Sequence, residues 1–257
     1  MQFTSVIAAA ILAYTASALP NSFITSTTTA TPAATTTAAD AATTTLSLTQ
    51  QLFIADTAVD RFALIPNDKD FVFPFNDPTK LGIGGKGGDL VTANRKTFPA
   101  LVGTGSGMAV GFLGPCGFNT PHVHNRATEL QIVTQGRLMT EMVPENNVFR
   151  DNIAAKGRRV IANEVKTFEM QPFYQGSIHT QFNPDCTNAT FIASFNSEDF
   201  GAGQVADELF SLSDDVIQAS FGQAIDGAEI EKFRKAIPTT IALGVEQCLK
   251  QCHIAKR

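Results

Sequence analysis

The 257-residue chain carries 24 acidic and 19 basic side chains, a formal charge of −5, and 44% apolar residues. That length suits one large or two small domains with a substantial core. The acidic balance argues against a nucleic-acid partner. Neutralising phosphates takes a clustered basic surface, and the densest basic group, Lys156, Arg158 and Arg159, reads as a solvated turn.

The chain opens with an apolar run, Val6 to Leu12, followed by the small-x-small sequence Ala16-Ser17-Ala18. Residues 1–18 therefore read as a secretory signal peptide cut after Ala18. The run is too short to span a bilayer as a mature helix, and no later stretch is long and apolar enough. The expected protein is secreted, extracellular or in a cell wall, with no membrane partner. Residues 19–45 are Thr, Ala, Ser and Pro with a single charge, Asp40, and cannot bury enough apolar surface to order themselves. Such a stretch fits an O-glycosylated stalk or an unmodified linker.

The folded part is expected from about Leu46. Leu52, Phe53, Ala55, Ala58, Val59 and Phe62 recur at roughly helical spacing and predict one helix over 50–64, ended by Pro66. Phe71 to Pro78 follows as an extended, proline-punctuated arm, so that 46–88 is helix plus arm. Gly82 to Gly88 resembles a phosphate loop in composition, but it lacks the Gly-Lys-Ser/Thr ending and no helical pattern follows; it reads as a turn.

Over 89–200 the pattern is of short strands between turns. The candidates are Gly107 to Leu113, Thr128 to Val133, Arg137 to Val143, Arg158 to Ala162, Glu164 to Gln171, Ser177 to Asn183 and Ala189 to Asn196. Strands at this density predict a mainly β fold, an antiparallel double-sheet jelly-roll barrel. Phe112, Leu113, Leu138, Met139, Met142, Phe168, Phe173, Phe182 and Phe191 are candidates to line it. Glu141 and Glu169 read as surface residues. From about Gly201 the period turns helical, giving a C-terminal helical tail over 201–257. Its segments are one opened by Ser213-Asp214-Asp215, one over 226–237 and one over 240–252.

Within the strand region, Pro121-His122-Val123-His124 places two of the chain's four histidines two residues apart, on one face of a strand. Glu129 follows, and His179 lies in another strand segment. Three imidazoles and a carboxylate converging inside a β fold make a site for a divalent transition metal: Zn, Cu, Fe or Ni by the imidazoles, with Mn left open by the carboxylate. Glu129 is an odd number of residues from both histidines. A continuous strand would turn it to the wrong face, so Asn125-Arg126-Ala127 has to break the register.

Cysteines 116, 186, 248 and 252 are even in number and in an exported chain predict disulfides, with three pairings open. Cys116 and Cys186 each lie close in sequence to a ligand strand, which favours pairing them with each other. Cys248 and Cys252 are then left to pair locally or stay free. Asn188-Ala189-Thr190 is an N-glycosylation sequon.

The run His122-x-His124, Glu129 five residues on and Gly136 seven residues after that resembles the first motif of the cupin family. Gly176, His179 and Asn183 resemble the second, although Cys116, Phe168 and Tyr174 replace a glycine, a glycine and a proline of the two motifs. Pro121 to Glu129 and Ser194 to Ser197 are similar to germins and their microbial, spherulin-like relatives. The resemblance covers about Phe98 to Gly201. It implies a jelly-roll barrel with a metal inside, usually manganese, on His122, His124, Glu129 and His179. It also implies a homo-oligomer built through the C-terminal helices.

Germin oxalate oxidases hold their substrate with two asparagines; Asn119 matches one, and Ala109 stands where the other belongs. That substitution lowers oxalate oxidation below a superoxide-dismutase-type activity. The alternatives are a non-catalytic extracellular, spore- or cyst-associated structural or storage protein, and a cupin dioxygenase or decarboxylase acting on a small molecule.

Overall fold

The computed structural model describes residues 45–77, 79, 84–238 and 240–255. The expected signal peptide and the Thr/Ala-rich segment, apart from its last residue, lie outside them.

The expected single N-terminal helix is two. α1 (Leu48–Ile54) and α2 (Ala58–Leu64) each begin with their own capping box, Ser47 with Gln50 and Thr57 with Asp60. The Thr57 hydroxyl accepts from the Asp60 N–H and the Asp60 carboxylate accepts from the Thr57 N–H, so a new helix starts there rather than the first continuing through Ala55 and Asp56. Leu52 is buried against Ile65 and Val102.

Eleven strands follow in the described residues: β1 (Gly88–Ala93), β2 (Gly107–Leu113), β3 (Gly117–Val123), β4 (Glu129–Gln135), β5 (Arg137–Val143), β6 (Ile161–Lys166), β7 (Met170–Phe173), β8 (Ile178–Phe182), β9 (Ala189–Phe195), β10 (Gly203–Gln204) and β11 (Ile241–Leu243). They form two sheets. One is five-stranded in the order β1-β2-β9-β4-β7. The other is six-stranded, in the order β10-β3-β8-β5-β6 with β11 also on β3. All pairings are antiparallel. The mainly β double-sheet jelly roll is thus present, with helices α3 (Val205–Phe210), α4 (Asp214–Ser220), α5 (Gly227–Ala236) and α6 (Glu246–Gln251) after the barrel.

Three expectations are corrected. The strands expected at 158–162 and 164–171 are β6 and β7, because the β5–β6 hairpin pairs Arg137 with Lys166 and puts the turn at Thr167 to Glu169. Phe168 sits in that turn at φ 65 and is 78% exposed, so it does not line the barrel. Phe112 and Met139 also face out, by strand parity, whereas Leu113, Leu138, Met142, Phe173 and Phe191 are buried as expected. The third tail helix is replaced by β11 and the short α6, since the backbone at Ile241–Leu243 pairs with the ligand strand β3 at Gly117, Phe118 and Asn119.

The cysteines form Cys116–Cys248 and Cys186–Cys252, not Cys116–Cys186. The two barrel loops do lie together: the Cys116 N–H donates to the Asp185 carbonyl at 3.3 Å. But α6 packs across them with Leu249 buried and offers Cys248 and Cys252 one turn apart, so each loop cysteine takes a partner from the helix. At Gly85 to Gly88 the glycines form a turn whose backbone closes on β3 and β11. A Cβ on Gly87 would collide with the Ala242 backbone, so close packing accounts for the glycine there.

Candidate metal centre

The six-stranded sheet delivers two imidazoles by register. His122 on β3 lies directly opposite His179 on β8, and their ring centroids are 4.2 Å apart. His124 follows the end of β3. The third component comes from the facing sheet. Glu129 opens β4, so it is not on the histidines' strand at all, and the parity difficulty dissolves: Asn125 to Thr128 carry the chain from one sheet to the other. The inward parity of β4 then turns Glu129 towards the histidines with Gln131 and Val133 after it. All four side chains are buried, and one ligand atom from each lies within 4.8 Å of the others.

The rings are oriented from behind. Nδ1 of His122 donates to the Thr120 carbonyl (2.8 Å), Nδ1 of His124 to Gly201 (2.6 Å) and Nδ1 of His179 to Ser177 (3.0 Å). A proton on Nδ1 leaves each Nε2 as a lone pair, the arrangement a metal-binding histidine needs. Phe173 stacks on His179 at 4.3 Å, and Phe195 meets His124 edge-on at 4.6 Å, which fixes the ring planes further.

Those lone pairs converge on an anion. Glu129 Oε2 lies 2.8 Å from His124 Nε2 and 3.2 Å from His179 Nε2. Burial by itself raises the Glu129 carboxyl, but the contacts with His124 and His179 outweigh it and hold the group well below the usual carboxylate range. His122 is driven the other way, down to about 3, by burial first and by the neighbouring His179. A carboxylate within 3.2 Å of two imidazole nitrogens whose other nitrogens are already donors requires positive charge between them. A divalent cation meets that requirement for the whole donor set at once, so the residues fit a metal ion of the kind nitrogen and carboxylate ligands favour.

Beside the centre is a cavity of about 270 Å³. Its walls are mostly apolar, with Ala109, Ala193, Phe195 and Phe200 among them, and Asn119 supplies an amide near the ligands. Ala109, as its identity implies, adds no polar group. Asn119 and His122 both face inwards despite their odd spacing, because β3 carries a bulge between them. Asn119 Nδ2 donates to Gln181 Oε1 (2.8 Å), and Gln181 Nε2 reaches Glu129 Oε1 at 3.4 Å. Gln181 was missed from the sequence, although its place two residues after His179 on one strand is a face-sharing signal. Nothing in a sequence pattern marks the backbone carbonyls of Thr120, Ser177 and Gly201. Asn188 is exposed just before β9, and Glu141 and Glu169 are exposed as expected. No helix among the described residues is long and apolar enough to cross a membrane.

Comparison with known proteins agrees with this architecture. Residues 74–228 match the family model described as Cupin. The chain is 35% identical to Spherulin-1A of Physarum polycephalum over 207 residues, 80% of this chain and 78% of that protein. It is 32% identical to a putative germin-like protein 3-2 of Oryza sativa subsp. japonica over 154 residues, 59% of this chain and 64% of that protein. Among solved structures, a recombinant oxalate oxidase in complex with glycolate superposes with a TM-score of 0.53 at 24% identity, over 64% of this chain and 82% of that one, a likeness of fold. A jelly roll that brings three histidines and a glutamate together from opposite sheets, in a chain matched over most of its barrel by that family model, belongs to the cupin family, in its germin- and spherulin-like branch.

Proposed function

We propose that this is an exported, manganese-binding germin-like cupin whose centre carries redox chemistry of the superoxide-dismutase type. His122, His124, Glu129 and His179 would hold the ion. The observation that carries this reading is the donor set itself: each imidazole is locked by a backbone carbonyl, the free nitrogens of His124 and His179 meet the buried Glu129 carboxylate, and His122 lies in the same cluster within 4.8 Å. A redox-active ion bound there would supply one-electron chemistry to a small substrate. The chain's own part is to fix the ligand orientations, keep the centre buried and limit access to a cavity of about 270 Å³. Superoxide asks for little more than a small opening, which the apolar walls leave. Oxalate asks for two carboxylate clamps, and of the two positions only Asn119 offers an amide.

The paired disulfides support an exported protein, since such bonds persist in oxidising compartments. Export through a signal peptide of residues 1–18, sugar on Asn188 and on the Thr-rich segment, and assembly as a homo-oligomer belong to the same proposal. The alanine at position 109, which leaves Asn119 as the one amide of the two clamp positions, favours one second reading, in which the metal only stabilises an extracellular structural or storage protein.

Elemental analysis of the purified protein with dismutase and oxalate oxidase assays tests both. Bound manganese with dismutase turnover supports the first reading, and bound metal with no turnover the second. Glu129→Ala is expected to reduce metal affinity by more than the ~10-fold typical of losing an outer hydrogen-bond partner. Unchanged metal content in that variant would sink the assignment of the site.

A further inference from the structure

Directly beneath the metal ligands the barrel interior is polar where a core is expected. Strand register places the groups in one layer. On the six-stranded sheet Asn119, Gln181, Thr140 and Asn163 are successive cross-strand partners. On the facing sheet Gln131 lies opposite Gln171 on one side and Ala193 on the other. The next layer down is apolar again, with Val133, Leu138 and Phe191 buried.

Part of this layer is satisfied internally. Thr140 Oγ1 donates to Gln171 Oε1 across the two sheets at 2.9 Å, and Asn163 Nδ2 donates to the same oxygen at 3.0 Å. The rest is not. The buried side-chain atoms without a protein partner, among the described residues, are Asn119 Oδ1, Gln131 Oε1, Gln131 Nε2 and Gln171 Nε2, and every one is in this layer. Gln131 is fully buried with both ends of its amide unpartnered. Leaving such a group dry forfeits its hydration with no return, and four such atoms in one layer point to something there that both donates and accepts.

The layer also reaches the outside. At its far end Asn163 and Gln171 line an open cavity of about 620 Å³ at the edge strands β6 and β7, where the two sheets part. At the near end Asn119 lines the cavity beside the metal ligands, and Gln181 touches Glu129. Apart from Ala193, the side chains between are amides or a hydroxyl, and the carboxylates Glu164 and Glu169 stand only at the outer cavity. A neutral lining of paired donors and acceptors suits small neutral hydrogen-bonding molecules and offers no counter-charge to an ion.

We infer that this amide layer is a water-filled conduit, a second entrance to the centre that opens between β6 and β7 and is separate from the apolar cavity. Its hydration stands without a metal; its role as an access route rests on the metal reading proposed above.

A high-resolution crystal structure of the metal-free full chain tests the first part. Ordered solvent within hydrogen-bond distance of Gln131 Nε2 and Gln171 Nε2 is expected. Amides that rotate to bond one another around a dry layer would overturn the proposal. The second part is read by water-proton relaxation of the manganese-loaded protein, which reports exchange of water at the ion. Gln171→Phe, a plug at the entrance, is expected to slow that exchange several-fold, with Ala109→Phe in the other cavity having the smaller effect. Gln171→Met serves as the milder variant if the plug fails to fold. An exchange rate equal to wild type in the Gln171 variants, or no exchangeable water at the ion in wild type, would refute the access role. A protein that takes up no manganese would refute the metal reading, leaving the crystallographic result to decide the conduit.

Discussion

His122 is a buried imidazole with a depressed proton affinity, and that has a consequence for the metal-free chain. Its pKa is held near 3, against about 6.5 in an unfolded chain, chiefly by burial. Between those values the unfolded state binds a proton that the native state does not, so acid favours unfolding. The contribution of this group to the stability of the metal-free protein is therefore complete above about pH 6.5. It falls by at most ~1.4 kcal/mol per pH unit from this group as the pH drops towards 3, and the slope flattens below that. Denaturant titrations of the metal-free protein from pH 7 to 4 measure this, and His122→Gln is expected to flatten the dependence. An unaltered slope would place the titration elsewhere.

The same residue shows what a sequence carries. Alternation along a strand makes His122 and His124 legible as ligands on one face, and a second strand segment and the motif spacing add His179 and Glu129. Parity also made a break at Asn125 to Ala127 legible, but not that the break carries the chain across to the other sheet, since parity along one strand says nothing of a second sheet.

Among the elements, the barrel strands were read best where one face is buried and the other wet: β2, β5 and β9 fall within a residue of their expected bounds. The tail was read worst. Ile241–Leu243 take strand structure because β3 has a free edge at Gly117 to Asn119, a tertiary demand that local propensity does not encode. The disulfides depend on the same tail. Cys116 and Cys186 were rightly placed near the ligand strands, but their true partners sit on α6, whose docking no spacing rule gives.

The Cys116–Cys248 bridge spans a sequence separation of 132 residues, so cutting it releases a long loop in the unfolded chain. Replacing both cysteines by serine is expected to cost ~2–5 kcal/mol, read by denaturant unfolding under non-reducing conditions. The cost also reaches the site, because the strap they anchor runs along β3 and contributes Thr240 to the metal cavity. Lower metal affinity should accompany the lost stability; a variant as stable as wild type would mean that β11 and α6 dock without the bridge.

At the scale of the whole molecule, the five-stranded sheet carries apolar side chains on both faces, its inner face interrupted by Glu129, Gln131 and Gln171. Its inner face packs the core. On its outer face Val110, Ile192, Ile132 and Met170 line up across β2, β9, β4 and β7, with Met108, Leu130 and Pro172 in the adjoining row. Met170 is 59% and Leu130 44% exposed. A contiguous apolar sheet face of this kind is what a soluble chain covers with a partner. The tail offers a rival surface, since Val216 on α4 and Phe233 on α5 are also exposed.

The proposed homo-oligomer can thus be built on the sheet or on the helices, and charge at each surface separates the two. Burying a lysine in an apolar interface costs several kcal/mol unless it finds a partner, while on a free surface it costs almost nothing. If copies pair through the sheet, Leu130→Lys with Met170→Lys should shift the sedimentation coefficient to that of a monomer while Val216→Lys with Phe233→Lys leaves the assembly intact. If the helices clasp instead, the second pair dissociates it and the first does not. Monomeric wild-type protein at micromolar concentration would exclude both arrangements and leave the exposed sheet face for a different partner.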